Sequence, residues 1–544
     1  MPFPNYEPTV PNFLDHCVAR YGERPLILLG DRRITYAEAE ALSAKLARGL
    51  LAQGVGKGTR VGILFPNGPD WAITWLAAAR IGAVTIPINT FSKSRELGWT
   101  LRHADVDTLL MTPSLLNHDY QERLEQCAPS LQGQKPGARG SLFCSELPYL
   151  RQVIVFGGES RPWARPSEDL APKSEVDDAF LREVESCVSP ADTVIVIYSS
   201  GSTAEPKGAV HTQGTLIRQS FNLTSYRDPH PRGVVWTPMP FFWTGGILIG
   251  LCQSMHEGYL VLCQEAFEPG ATLELLERER ATSVMGWPQY TQAMRDHPDF
   301  HSRDLSSIES GSMLELLPEG ERPKDPQLRS NSLGMTETCG PHTYGRMDVD
   351  LPERLRGSFG KALDGVTHKV VDPNTGERLP TGEHGEICVR GYSLMQGLYK
   401  CEREDVFDTE GFYHTGDGGH FNDEGHLFFK ARLGEMIKTG GANVAPREVE
   451  IVMDMMDEVQ SSFVVGVPHP VRGQNVAAVV VLNEGSKLTA DELRRRLREE
   501  LSAYKVPREF FFFDREELPF TDSGKMPKKV LTAMLIERMA TDES

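Results

Sequence analysis

The stretch DTVIVIYSSGSTAEPKGAVHTQG, Asp192 to Gly214, decides how the rest of the chain is read. Residues 193–198, TVIVIY, form a continuous apolar run rich in β-branched side chains, the pattern of a buried strand. The run opens into hydroxyls and a glycine (Ser199, Ser200, Gly201, Ser202, Thr203), closes with Pro206, Lys207 and Gly208, and returns through AVHT. Small residues let backbone N–H groups approach an anion closely, and the hydroxyls add donors. Lys207 adds a point charge suited to a phosphate. A Ser/Gly-rich surface turn is the ordinary alternative; the apolar strand before the loop and the Pro-Lys-Gly after it argue against that. A Walker loop demands Gly-Lys-Ser/Thr where Pro206-Lys207-Gly208 stand, so a P-loop nucleotide hydrolase is disfavoured.

Upstream, strand and helix patterns alternate. Thr35 and Glu38 have capping-box spacing and open an amphipathic helix that stops at Gly54. RVGILF (60–65) reads as a buried strand, DWAITWLAAARIG as a helix ending at Gly82, and AVTIPIN as the next strand. Such alternation with short connections predicts an α/β fold, a mostly parallel sheet covered by helices. Residues 131–141 and 157–175 are rich in Gly, Pro and charge and read as surface loops. After about residue 360, short β-type runs separated by glycines predict a small antiparallel subdomain. Beyond Gly434, Pro446 sits at a helix start, two apolar strands follow, and Thr489 with Glu492 opens another helix. The last 110 or so residues therefore read as a compact α+β unit.

Composition narrows the function classes. The chain has 544 residues, 40% apolar and 24% charged, with a net charge of −18, the composition of a folded protein and not one built around a nucleic-acid backbone, which would call for a basic face. Its nine cysteines include no CxxC pair, which points to free thiols in a reducing compartment. The first residues lack the basic start and apolar core of a signal peptide. Val234 to Met255 is free of acidic and basic residues over the length of a membrane span, but prolines and glycines interrupt it, and it reads as a pocket wall. The expected location is the cytoplasm, with no transmembrane segment.

At this point the chain resembles the adenylate-forming enzymes, which include acyl-CoA synthetases, luciferases and peptide-synthetase adenylation domains. Their phosphate loop reads [ST]SG[ST]TGxPKG, matched by YSSGSTAEPKG except at Ala204. Gly334, Thr336 and Glu337 match the YGxTE motif, and Thr415-Gly-Asp417 the TGD motif. Arg432 to Lys438 with Gly440-Gly441 is similar to the hinge and glycine loop, and Pro519 to Lys525 to the carboxy-terminal lysine motif. The resemblance covers nearly the whole chain in the family's order. It implies an N-terminal adenylate-forming domain over 1–432 and a mobile C-terminal lid over 433–544. The implied cofactors and substrates are ATP, Mg²⁺, coenzyme A and a small carboxylic acid, with a homodimer left as an option.

The resemblance also implies roles. Ser199, Ser200, Gly201, Ser202, Thr203 and Lys207 would cradle the phosphates, Thr336 would bond the α-phosphate, and Glu337 would hold Mg²⁺. Asp417, assisted by Arg432, would hold the ribose. Lys525 would bridge the attacking carboxylate and the α-phosphate; the lid would then swing and bring Gly440 and Gly441 to the path of the thiol. Phe242, Trp243 and Gly246 would line the acyl pocket, with Trp243 in place of the family's histidine as an apolar gate. Two further departures are Leu333, which replaces an aromatic that stacks on adenine, and Gly434 at the hinge. Pocket walls are expected from 236–246, 283–290 and Ser310 to Leu317, including Phe241, Trp287 and Met313, which favours an apolar medium-length, long or polycyclic acid over acetate. The rival readings are an acyl-AMP ligase that loads a carrier protein, a luciferase, and a silent nucleotide or acyl-adenylate sensor. His297 and His301 have zinc-helix spacing, but Pro298 between them and the missing glutamate make a surface turn the better reading. No GxSxG string supports a serine hydrolase.

Overall fold

The computed structural model describes residues 3–135, 142–199, 205–226, 230–433, 436–483, 485–519 and 526–542, with backbone only at 431, 432, 541 and 542. The run that opens at Thr193 is strand Thr193–Ser199 of an eight-stranded sheet. In order across this sheet lie Gly397–Leu398, Lys207–Thr212, Thr193–Ser199, Val84–Pro87, Arg60–Leu64, Thr108–Met111, Gln152–Val155 and Arg165–Pro166. The last six run parallel, and the first two are antiparallel additions at one edge. A second, six-stranded sheet takes Ser310–Gly311, Ser283–Val284, Val234–Trp236, Leu260–Cys263, Pro25–Leu29 and Arg32–Thr35 in that order, all parallel except the last pair.

Helix Tyr36–Ala52 starts at the expected capping box: the Glu38 amide donates to Thr35 Oγ1 at 3.1 Å and the Thr35 amide to Glu38 Oε2 at 2.7 Å. Such a cap is worth about 1 kcal/mol. Helix Pro69–Arg80 packs against strands of both large sheets, and nearly all of it is buried, Trp71 and Trp75 fully so. A helix apolar on every side belongs in such an interior layer. Its one buried charge, Arg80, is answered by Glu185, Glu40 and Ser43.

The segment 157–175 departs from the surface-loop reading. Trp163 and Leu170 are buried, Arg165–Pro166 adds an edge strand, and the Leu170 carbonyl sits so close to Gly49 that a Cβ there would overlap it. Burial of these two apolar side chains outweighs the polar composition around them. Within 131–135, Leu131 is likewise buried, and 136–141 lie outside the described residues.

The glycine-punctuated region forms a four-stranded antiparallel sheet of Val366–Val371, Gly385–Gly391, Tyr413–Phe421 and Leu427–Arg432. A short antiparallel sheet, Leu333–Met335, Gly340–Tyr344 and Lys361–Ala362, carries the Thr336-Glu337 turn. The C-terminal lobe pairs Val459–His469 with Gly473–Leu482, flanked by Ile437–Thr439, Ala442–Val444 and Glu509–Phe512. Helices Pro446–Asp454 and Ala490–Glu500 cover one face of this sheet through Val449, Val452, Leu493 and Leu497; Lys528–Asp542 covers the other through Leu531 and Leu535. Among the described residues, no buried apolar cluster combines side chains from before 433 with side chains after it.

Candidate active site

A cavity of about 420 Å³ opens where the eight-stranded sheet, the short antiparallel sheet and the C-terminal lobe meet. It lies past the carboxyl end of strand Thr193–Ser199, the side on which open α/β sheets take their ligands. Its aromatic wall is Phe242, Trp243, Trp287 and Tyr504. Trp243 sits edge-to-face with the other three, centroids 5.6 to 6.2 Å apart, so the cluster joins the two lobes. Each such pair adds about 1 kcal/mol beyond area burial.

The wall's backbone is clamped. The Asn67 amide donates to the Met239 carbonyl at 2.8 Å, and Asn67 Oδ1 accepts the Phe241 N–H at 2.7 Å. Gly246 passes so close to the Pro240 carbonyl that any side chain would overlap it, and there a wide π-helix, Gly246–Gln253, begins. Such wide turns recur at functional sites.

At the polar end lie Ser199, Ser332 and Thr336. Thr336–Thr338 is a tight turn closed by Cys339 in the left-handed region (φ 51°), with Thr338 Oγ1 donating to the Gly340 carbonyl at 2.7 Å. The Thr336 carbonyl accepts from His211 Nε2 at 2.8 Å. Burial lowers the His211 pKa to about 4, so at neutral pH its uncharged ring donates this bond.

The C-terminal lobe closes the cavity with Gly441, Ala442 and Asn443. The Gly440 carbonyl accepts from Gln289 Nε2 at 2.9 Å. Gly441 (φ 83°) lies flat against Trp287, and a Cβ there would overlap the indole. Beside this loop the Arg472 carbonyl accepts the Gly440 N–H at 3.0 Å. Arg508 lies near Arg472 and Arg498, and partial burial together with their like charges lowers its pKa.

The structure thus brings Ser199, Thr336, Phe242, Trp243, Gly246 and Gly441 to one cavity. Glu337 follows Thr336 and is buried. Asp417 is 1% exposed, in strand Tyr413–Phe421, in register with Arg432; neither it nor Lys207 borders this cavity. Ser200, Gly201, Ser202, Thr203, Gly434 and Lys525 lie outside the described residues.

Three expected wall elements belong elsewhere. Phe241 is fully buried against Trp71 and inside the first core. Met313 packs with Trp236 and Leu262, and the stretch from Ser310 borders a separate cavity of about 290 Å³ with Tyr226 and Tyr344. Leu333 is a core residue, whereas Ser332 and Gly334 face the cavity; alternation along a strand turns it away from the position expected beside adenine.

Sequence reading missed Asn89, Glu96, Thr100, Tyr504 and Lys505, all on the cavity wall. Glu96 caps its helix through the Lys93 N–H at 2.9 Å, and its spacing signals nothing more than that cap. Glu386, Cys388 and His414 also gather within ligand distance of one another, with the His414 ring between Glu386 and Asp408. Glu386 Oε1 also accepts the Gly416 N–H at 2.9 Å, so the group pins the strand bulge ahead of Asp417.

The chain is similar to known proteins over most of its length. A family model described as AMP-binding enzyme matches residues 14–399, and one for the AMP-binding enzyme C-terminal domain matches 448–525. A putative acyl-CoA synthetase, YngI of Bacillus subtilis (strain 168), is 29% identical over 97% of each chain. A feruloyl-CoA synthase of Amycolatopsis sp is 32% identical over 92% of this chain and 93% of its own. Among solved structures, the amide bond synthetase McbA from Marinactinospora thermotolerans superposes with a TM-score of 0.77 at 25% identity, covering 96% of this chain and 99% of that one.

Proposed function

The chain belongs to the AMP-binding enzyme family and is an AMP-forming acid–CoA ligase of the acyl-CoA synthetase type, and from that premise we propose that its acid is hydrophobic, medium-length or aromatic, and is activated as an acyl-adenylate. The observation that carries this reading is the cavity itself. Phe242, Trp243, Trp287 and Tyr504 offer an apolar wall to an acyl group, with Ser199 and Thr336 at one end and Gly441 against Trp287. A small polar acid such as acetate would leave that wall without a partner.

In the first step a carboxylate oxygen bonds the α-phosphorus of ATP and pyrophosphate leaves. In the second the CoA sulfur bonds the acyl carbon and AMP leaves. Both steps crowd anions, so the protein's contribution is charge neutralisation that is strongest in the transition state. We assign the phosphates to residues 199–203 and Lys207, the α-phosphate to Thr336, and the ribose to Asp417 with Arg432. Lys525 would cross from a lid domain of 433–544 to a main domain of 1–432 for the first step. Glu337 would hold Mg²⁺, which neutralises phosphate charge when bound. One buried carboxylate beside hydroxyls suits an ion that otherwise takes water and phosphate oxygens. Gly440 and Gly441 leave room for a thiol in the second step.

Free CoA is favoured over a carrier protein by Arg472, whose guanidinium lies beside Gly440 of the glycine loop and offers a counter-charge to CoA's phosphates. Exchange of labelled pyrophosphate into ATP, measured over acids of graded size, tests the reading. Exchange should be strongest with medium-length or aromatic acids; a preference for acetate or an amino acid overturns it. No exchange with any acid would favour the nucleotide sensor. Thioester yield with CoA should exceed that with pantetheine, which lacks the nucleotide phosphates.

A further inference from the structure

Two glutamates and a lysine are buried together where the lobes meet. Lys505 Nζ lies 2.7 Å from Glu96 Oε1 and 2.6 Å from Glu448 Oε1, with side-chain exposures of 4%, 5% and 1%. Glu96 is in helix Ser94–His103 of the N-terminal lobe; Glu448 and Lys505 are in the C-terminal lobe, in helix Pro446–Asp454 and the turn after Ala490–Glu500. Ser502 Oγ donates to Glu96 Oε2 at 2.7 Å, and Tyr504 next to Lys505 meets Phe91 and Trp243. Burial disfavours the charged form of Glu96, but Lys505 and the hydrogen bonds around it outweigh burial and hold its carboxyl below the usual range. Glu448 goes the other way: burial pushes its carboxyl up against the pull of Lys505.

The group exists only in this arrangement of the lobes. Moving the C-terminal lobe away would part Glu96 from Lys505 and Ser502 and leave the Glu96 carboxylate without its counter-charge, while Lys505 would keep Glu448 within its own lobe. The same arrangement sets Gly441 against Trp287. Met526, which follows the lysine motif, packs with Val465 and Leu518 on the face of the C-terminal sheet opposite the one that helix Pro446–Asp454 covers. We propose that the buried Glu96–Lys505–Glu448 group, completed by Ser502, is a latch that holds the C-terminal lobe in its thiol-accepting position and so governs acyl transfer to the thiol rather than activation of the acid. This inference rests on the two-step reading above. Glu448 and Ser502 are positioning residues within it.

Glu448→Leu keeps the volume of the side chain and removes one of the two carboxylates; Ser502→Ala removes a single hydrogen bond and adds nothing that could clash. With acyl-AMP supplied, thioester formation by Glu448→Leu should fall about tenfold, because Lys505 loses the neighbour in its own lobe that aims it at Glu96 across the interface. Ser502→Ala should lose about threefold, the scale of one hydrogen bond. Pyrophosphate exchange should stay within about threefold in both, because neither residue borders the cavity. Glu448→Gln, which keeps the hydrogen bond to Lys505, should recover most of the thioester rate. Spin labels at exposed Cys401 and at Asp491→Cys, in a chain with Cys187→Ser, read the lobe distance without any turnover. The distribution should broaden in Glu448→Leu. Equal losses in both half-reactions, or an unchanged distribution in folded Glu448→Leu, would overturn the latch. Absence of exchange in the unmodified chain would instead overturn the two-step reading and leave the distance measurement standing.

Discussion

Trp243 touches Phe242, Trp287 and Tyr504, and so reaches from the N-terminal lobe across the cavity to the C-terminal one. Its indole sets how much of the wall an acyl chain can use. Replacing it with alanine removes three edge-to-face contacts and opens the apolar end. Loss of a large aromatic from a packed wall costs about 3–5 kcal/mol when fully buried, and Trp243 is half-buried, so the loss here is smaller. Trp243→Ala should move the preferred acid to a longer or bulkier one, with the ratio of kcat/KM between bulky and medium acids rising about tenfold. Steady-state assays over a graded acid series check this; an unchanged preference would assign Trp243 to packing alone.

At the scale of elements, the glycine loop between strands Ile437–Thr439 and Ala442–Val444 is the piece of the C-terminal lobe closest to the acyl wall. Gly441 has φ 83° and lies against the Trp287 ring. A methyl group there meets both backbone strain and the indole, so the loop cannot seat as it does. Gly441→Ala should lower thioester formation from supplied acyl-AMP by about 100-fold or more while pyrophosphate exchange persists. Lys525→Ala should show the mirror image, with exchange lost and thioester formation from acyl-AMP retained. Rapid-quench measurement of each half-reaction separates the two; parallel losses in either variant would remove its assigned step.

Across the whole molecule, His211, His256, His342 and His368 are all held neutral by burial. His211 and His368 are lowered from 6.5 to about 4, His256 to about 3, and His342, paired with His368 at 2.8 Å, falls well below its ordinary value. Below pH 6.5 the unfolded chain binds protons at these positions that the folded chain refuses, so stability rises with pH across that window. The loss on acidification should begin near pH 6.5 and continue toward pH 4, steepening as carboxylates join. Denaturant midpoints at pH 7.5, 6.5 and 5 should fall slightly over the first interval and steeply over the second. A midpoint that holds from pH 6.5 to 5 would mean these rings are charged or solvated in the folded protein.

Local chemistry carried much of this into the linear chain. The apolar run at 193–198 becomes a strand, Thr35 and Glu38 close their capping box, Pro446 starts a helix, and the glycine-spaced runs after 360 pair into an antiparallel sheet. Each depends on neighbours a few residues away, through periodicity, cap geometry or turn preference, and these survive in one dimension. Which way a side chain faces does not. Phe241 and Met313 have the same apolar character as Phe242 and Trp287, yet packing sends the first two into cores and the others to the cavity. Glu96 and Lys505 are 409 residues apart, and nothing near either hints at its partner. Their meeting required two lobes to close on each other, because a buried charge chooses its counter-charge by the position of whole domains and leaves no local pattern behind.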